Sequence, residues 1–133
     1  MKIRIKGNSL RLRLAQEEVE TFRRFGRVAD TIRFGFDETE ILTYELVRSN
    51  NHDTVTADFN GGEISVYVPR PTAEKWTGSE DTGFKAKQVT GEGNHLIILI
   101  EKDFQCLHKR AGEHEADLYL HPAARKSVVQ PEG

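Results

Sequence analysis

The chain has 133 residues, 37% hydrophobic and 30% charged, which excludes disordered, fibrous and collagenous classes and suits one domain that buries its core without metal or disulfide staples. Nineteen Lys and Arg face 21 Asp and Glu, a net charge of −2, so no global field draws the molecule to nucleic acid or membrane and any such partner has to be met by a local patch. The one cysteine, Cys106, excludes an internal disulfide and points to a reducing cytoplasm.

The opening Met1-Lys2-Ile3-Arg4-Ile5-Lys6 alternates charged and apolar residues and never becomes the apolar run of a signal peptide, so export is not expected. After Gly7-Asn8-Ser9 the alternation resumes in Leu10, Leu12 and Leu14 against Arg11 and Arg13. This predicts a hairpin with one apolar and one cationic face. The period then changes: Ala15, Val19, Phe22 and Phe25 share a helical stripe, glutamates lead, arginines follow and Gly26 ends the run, so a helix is predicted over about Gln16 to Phe25.

Strand character returns in Val28 to Phe36 and Ile41 to Val47, separated by the turn Asp37-Glu38-Thr39. A polar loop, Ser49 to Asp53, leads to a second hairpin, Val55 to Phe59 and Ile64 to Val68, around Asn60-Gly61-Gly62. Pro69 and Pro71 stop the strand, and Thr72 to Thr77 reads as a short helix. Phe84 to Ala86 and Leu96 to Ile100 are the last strands. The aliphatic run from Leu96 is five residues long, against about 20 for a membrane-spanning helix, so no membrane association is expected.

Both halves read strand, strand, helix, strand, strand, and an offset of 54 residues brings Gly7 onto Gly61, Leu12 onto Val66, Phe22 onto Trp76 and Leu46 onto Ile100. The expected fold class is α+β, mostly antiparallel: duplicated ββαββ units, at about residues 1–48 and 55–102, forming an eight-stranded barrel-like or two-layer sheet with two short helices. They make one domain over residues 1–104, with 105–133 an expected, partly disordered extension. The predicted core is Leu10, Leu12, Leu14, Val19, Phe22, Tyr44, Leu46, Ile64, Val66, Trp76, Phe84, Leu96, Ile98 and Ile100, the in-phase apolar positions.

The opening Met1 to Ser9, the following Arg11-Leu12-Arg13-Leu14 with Glu18-Val19-Glu20, and the late Glu101-Lys102-Asp103-Phe104-Gln105-Cys106-Leu107 resemble a family of short uncharacterised bacterial proteins, a domain of unknown function, over roughly residues 1 to 122. The resemblance implies a bacterial cytoplasmic stand-alone domain and an acidic C-terminal stretch with an Asp-x-Tyr-like element, similar to Asp117-Leu118-Tyr119. It brings no catalytic residues with it.

Two candidate sites follow from the residues. Lys2, Arg4, Lys6, Arg11 and Arg13 would share the outer face of the first hairpin, and residues 1–33 carry nine Lys and Arg against four Asp and Glu, while the remainder carries ten against seventeen. Neighbouring side chains on one sheet face lie about 5 Å apart, close enough for several cations to share a phosphate or carboxylate. The same pattern also describes a solvated sheet face, or one covered by the acidic second half. No aromatic residue interleaves the cations, so nucleic acid is not the expected partner; an anionic small molecule or an acidic protein surface is.

The second candidate is Cys106, His108, His114, Asp117 and His121, a set that would hold zinc or another divalent metal for catalysis, though its spacing matches no zinc signature. Phosphate-binding glycine loops, His-Glu-x-x-His, Gly-x-Ser-x-Gly and paired Cys-x-x-Cys motifs do not occur. The leading expectation is a non-catalytic binding or interaction module without cofactor that uses the basic hairpin face. A metal-dependent enzyme built on the C-terminal cluster is the alternative.

Overall fold

The computed structural model describes residues 1–104. Strands β1 (Lys2–Lys6) and β2 (Ser9–Leu14) pair antiparallel around Gly7-Asn8. Gly7 has φ 57, the positive value required at the first central position of a tight two-residue hairpin turn.

Helix α1 (Gln16–Phe25) carries Glu17 and Glu18 in its first turn and Arg23 and Arg24 in its last, each sign opposite the local end of the helix dipole. The Glu18 carboxylate accepts the Ala15 N–H at 2.8 Å. The helix ends at Gly26, φ 77, whose N–H donates to the Phe22 carbonyl at 2.8 Å, while Arg48 Nη1 donates to the Arg23 carbonyl at 3.0 Å. A Cβ on Gly26 would meet the Arg48 guanidinium at 3.1 Å in a left-handed backbone conformation. Gly26→Ala should therefore cost about 1–2 kcal/mol in thermal or urea unfolding.

The sequence stripe aims Phe25 inward beside Phe22, but Phe25 is 70% exposed. It is the last helical residue, about 60° around the axis from Phe22, and the buried face of α1 is narrow enough that only Phe22 is fully covered.

β3 (Arg27–Arg33) is shorter than the sequence predicts. Beyond Arg33 the chain turns away: the Arg33 guanidinium donates to the carbonyls of Gly35 and Phe36 and pairs with Glu38, and a 3-10 turn (Glu38–Glu40) capped by Asp37 leads into β4 (Ile41–Ser49). Phe34 and Phe36 are left exposed. There follow β5 (Thr56–Asn60), β6 (Glu63–Pro69), α2 (Arg70–Thr77), β7 (Gly83–Gly91) and β8 (Asn94–Lys102).

The eight strands form two four-stranded sheets, ordered β1-β2-β8-β7 and β3-β4-β6-β5. Each half contributes one hairpin to each sheet. The halves join where inner strands run parallel, β2 beside β8 and β4 beside β6; all other pairs are antiparallel. Exchanging β1 to β4 with β5 to β8 converts one strand order into the other.

A closed eight-stranded barrel, one of the two expected arrangements, does not form. Among the described residues no backbone ladder joins β5 to β7 or β1 to β3, and side chains bridge those edges instead. At the first edge the Gln88 amide donates to the Ala57 carbonyl at 2.9 Å and accepts the Ala57 N–H at 2.7 Å, reproducing both halves of a ladder pair with one side chain. At the second, the Met1 amino group is held by Glu18 and, at 2.6 Å, by Asp30, and the Tyr44 hydroxyl donates to the Met1 carbonyl at 2.9 Å. Burial alone would lower the pKa of this amino group, but the hydrogen bonds it donates to Asp30 and Glu18 and the charges of those carboxylates together outweigh it, and the pKa is raised above its ordinary value.

Inner-facing side chains of both sheets and both helices share one core, comprising Leu10, Leu12, Leu14, Phe22, Leu46, Ala57, Val66, Val68, Ala73, Trp76, Ile98 and Ile100. Val19, Tyr44, Ile64, Phe84 and Leu96, also predicted inside, are partly buried against it. Val68, Ala57 and Ala73 are core residues that the periodicity reading leaves out.

Candidate anion-binding face

Because Leu10, Leu12 and Leu14 face the core, alternation turns Arg11 and Arg13 to the opposite side of β2. The register then fixes their neighbours: Lys2 stands opposite Arg13, Arg4 opposite Arg11, and Lys6 opposite Ser9. All five sequence-predicted cations thus lie on one outer sheet face.

The parallel pairing of β2 with β8 extends each row into the second half of the chain. Arg13 continues to Glu101 and Gly83, Arg11 to Leu99 and Lys85, and Ser9 to Ile97 and Lys87. Lys85 and Lys87 therefore join the same face, which the sequence reading misses. The alternation Phe84-Lys85-Ala86-Lys87 does signal a strand with a cationic side, but nothing local says which sheet that strand enters.

Two carboxylates from the second half meet this face. Asp103 takes Lys2 at 2.8 Å, and Glu101 sits 3.2 Å from Arg13 Nε and 3.7 Å from Arg11 Nε. The longer contact is not a hydrogen bond, and Arg11 Nε is buried without a hydrogen-bond partner among the described residues. Arg4, Lys6, Lys85 and Lys87 form no ion pair among the described residues, and all four are exposed. Arg4 and Lys6 stand about 6.6 Å apart along β1, as do Lys85 and Lys87 along β7, and the two pairs are three strand spacings, about 14 Å, from each other, so the face can bind several carboxylates or phosphates in a row.

The outer face of the other sheet is different. Its Arg27 pairs with Glu45 at 2.6 Å, Glu45 also accepts from the Ser65 hydroxyl at 2.7 Å, and Glu63 and Asp58 add negative charge nearby. Among the described residues, a concentration of cations without ion-pair partners is thus found on one of two topologically equivalent faces.

A second polar cluster lies in the loop after β4. The Ser49 hydroxyl and His52 Nδ1 are 2.7 Å apart, the Asn51 N–H donates to the same hydroxyl at 3.0 Å, and the His52 ring stacks on Tyr67 at 4.5 Å. The two hydrogen bonds span two or three residues and build the loop, and the ring stack seats it on β6; Ser49 is buried, so the pair does not present a nucleophile. Cys106, His108, His114, Asp117 and His121 lie outside the described residues, as do the end of the late motif and Asp117-Leu118-Tyr119. Among the described residues no three His, Cys, Asp or Glu gather as a metal site, and no helix is long and apolar enough to cross a membrane.

Fold and face together define an α+β protein of two four-stranded sheets, rich in antiparallel pairing, with two helices and a basic outer surface on one sheet. The chain belongs to a family of unknown function, DUF7009, which matches residues 1–123. No curated protein and no solved structure matches it.

Proposed function

We propose that the chain is a bacterial, cytoplasmic, non-catalytic binding module that recognises an anionic ligand or an acidic protein surface through the outer face of the β1-β2-β8-β7 sheet. The observation that carries this reading is the set of exposed cations without ion-pair partners among the described residues, Arg4, Lys6, Lys85 and Lys87, on a face where, of those residues, Glu101 and Asp103 oppose Lys2, Arg11 and Arg13. Glu101 acts as an internal competitor, occupying two arginines that an incoming carboxylate would otherwise take.

The same reading treats the two halves as copies of one ββαββ unit. It is supported by turn glycines 54 positions apart with matching φ, 57 at Gly7 and 56 at Gly61, and by the exchange symmetry of the strand orders. If so, the basic face is a specialisation of one sheet after duplication.

A labelled oligoglutamate peptide titrated at several salt concentrations tests the function. The parent chain should bind it with an affinity that falls as salt rises, since the contacts are exposed charges. Arg4→Ser with Lys6→Ser should weaken binding and flatten the salt dependence while changing stability by no more than about 0.5 kcal/mol. Glu101→Gln should strengthen binding, because it releases Arg11 and Arg13. Absence of binding at low salt, or binding indifferent to all three substitutions, would sink the proposal.

A further inference from the structure

The cations on the basic face are not evenly spread. Along the outer side of β8 the sequence of side chains is His95, Ile97, Leu99 and Glu101, so two partly buried aliphatic residues occupy the middle of the face. On one flank stand Arg11 and, one strand further, Arg4 and Lys6; on the other stand Lys85 and Lys87. Val89, opposite His95 and 70% exposed, continues the apolar ground at the end nearest Ile97.

We infer that this face docks an acidic amphipathic helix of a partner protein, apolar stripe down on Ile97 and Leu99 and acidic residues on both flanks. The inference rests on the anion-binding reading above and specifies its partner. Three dimensions agree. The flanking cation columns on β2 and β7 are two strand spacings apart, about 10 Å, close to the width of a helix. Ile97 and Leu99 are two residues apart on a strand, about 6.6 Å, which matches the separation of apolar residues one turn apart on a helix, about 5–6 Å. The charge pattern is complementary on both sides of the stripe at once.

An extended acidic peptide fits less well, because successive side chains of a strand point to opposite faces and cannot supply an apolar centre with acidic flanks on both sides. A nucleic acid would bring phosphates to the cations but set its hydrated groove or sugars over Ile97 and Leu99, and among the described residues the face carries no Phe, Tyr or Trp on which a base could stack, only His95 at its end. A helix with leucines at i, i+4 and i+7 and glutamates beside them uses the cations and the aliphatic residues together.

The test uses the full chain and three labelled peptides: an amphipathic one with a leucine stripe flanked by glutamates, its scrambled isomer of equal charge and composition, and oligoglutamate. The amphipathic peptide should bind about tenfold more tightly than its scrambled isomer and become helical on binding, as followed by circular dichroism. Ile97→Thr with Leu99→Thr should abolish that preference and leave oligoglutamate binding unchanged. Lys85→Ser with Lys87→Ser should weaken all three.

Equal affinity for the amphipathic and scrambled peptides overturns the inference while leaving the anion-binding face standing. Tighter binding to a DNA duplex, or to phosphatidylserine vesicles, than to the amphipathic peptide also overturns it. Failure of every peptide, oligoglutamate included, removes the anion-binding reading itself. The peptide comparison on the parent chain decides the matter even if the threonine variant does not fold.

Discussion

Replacing Trp76 by alanine is expected to lower the unfolding free energy by about 3–5 kcal/mol, the range for removing a fully buried large aromatic side chain. Trp76 is 1% exposed and is the largest of the fully buried side chains. It stands between two rings, edge-on to Phe22 of α1 at 6.1 Å and to Phe84 of β7 at 5.5 Å, and so ties both helices and one sheet to a single point. Its indole N–H reaches the Thr82 carbonyl at 3.4 Å, and the Lys102 ammonium lies 5.8 Å from the ring centre. Truncation loses the transfer energy of the indole and leaves a cavity that the sheets are held too firmly to close. Urea or thermal unfolding followed by circular dichroism measures it. A loss below about 1 kcal/mol would mean that α2 does not seal the core.

Gln88→Ala is expected to cost about 2–4 kcal/mol, because it strands two backbone groups at once. The Ala57 N–H and carbonyl both pair with the Gln88 amide, Ala57 is buried, and an unsatisfied buried donor or acceptor costs about 1–3 kcal/mol. Gln88→Glu separates the two contributions. It keeps an acceptor for the Ala57 N–H but sets a carboxylate oxygen against the Ala57 carbonyl, so it should destabilise at neutral pH and recover on acidification as the carboxyl regains a proton to donate. Amide hydrogen exchange should show faster exchange along β5 in both variants. Unchanged exchange there would show that this edge is held by packing rather than by the Gln88 bridge.

These two residues differ in how readily the sequence reveals them. Trp76 is an aromatic residue on a short helix, matched at 54 residues by Phe22, and its role as a core plug follows from pattern alone. Gln88 is a polar residue at an inward strand position. Alternation would turn it toward the core, and only the approach of β5 from the other sheet explains why a polar side chain belongs there.

The same division runs through the candidate site. Local periodicity determines which face of an element each side chain occupies, since period two and period 3.6 are properties of a few consecutive residues. It therefore placed Lys2, Arg4, Lys6, Arg11 and Arg13 together, opposite Ile3, Leu12 and Leu14, and distinguished strands from helices nearly throughout. Pairing across the two halves is a long-range choice in which backbone hydrogen bonds are equally available to any strand, so shape and the fit of the whole core decide it. The parallel joining of β2 to β8 brought Lys85 and Lys87 to the basic face, set Ile97 and Leu99 at its centre and brought Glu101 against Arg11 and Arg13. The parallel joining of β4 to β6 in the same way made two sheets where eight alternating strands alone allow a closed barrel. Which residues face outward was settled by local stereochemistry; which of them meet was settled by the tertiary structure, because a strand's hydrogen-bonding edge carries no record of its partner.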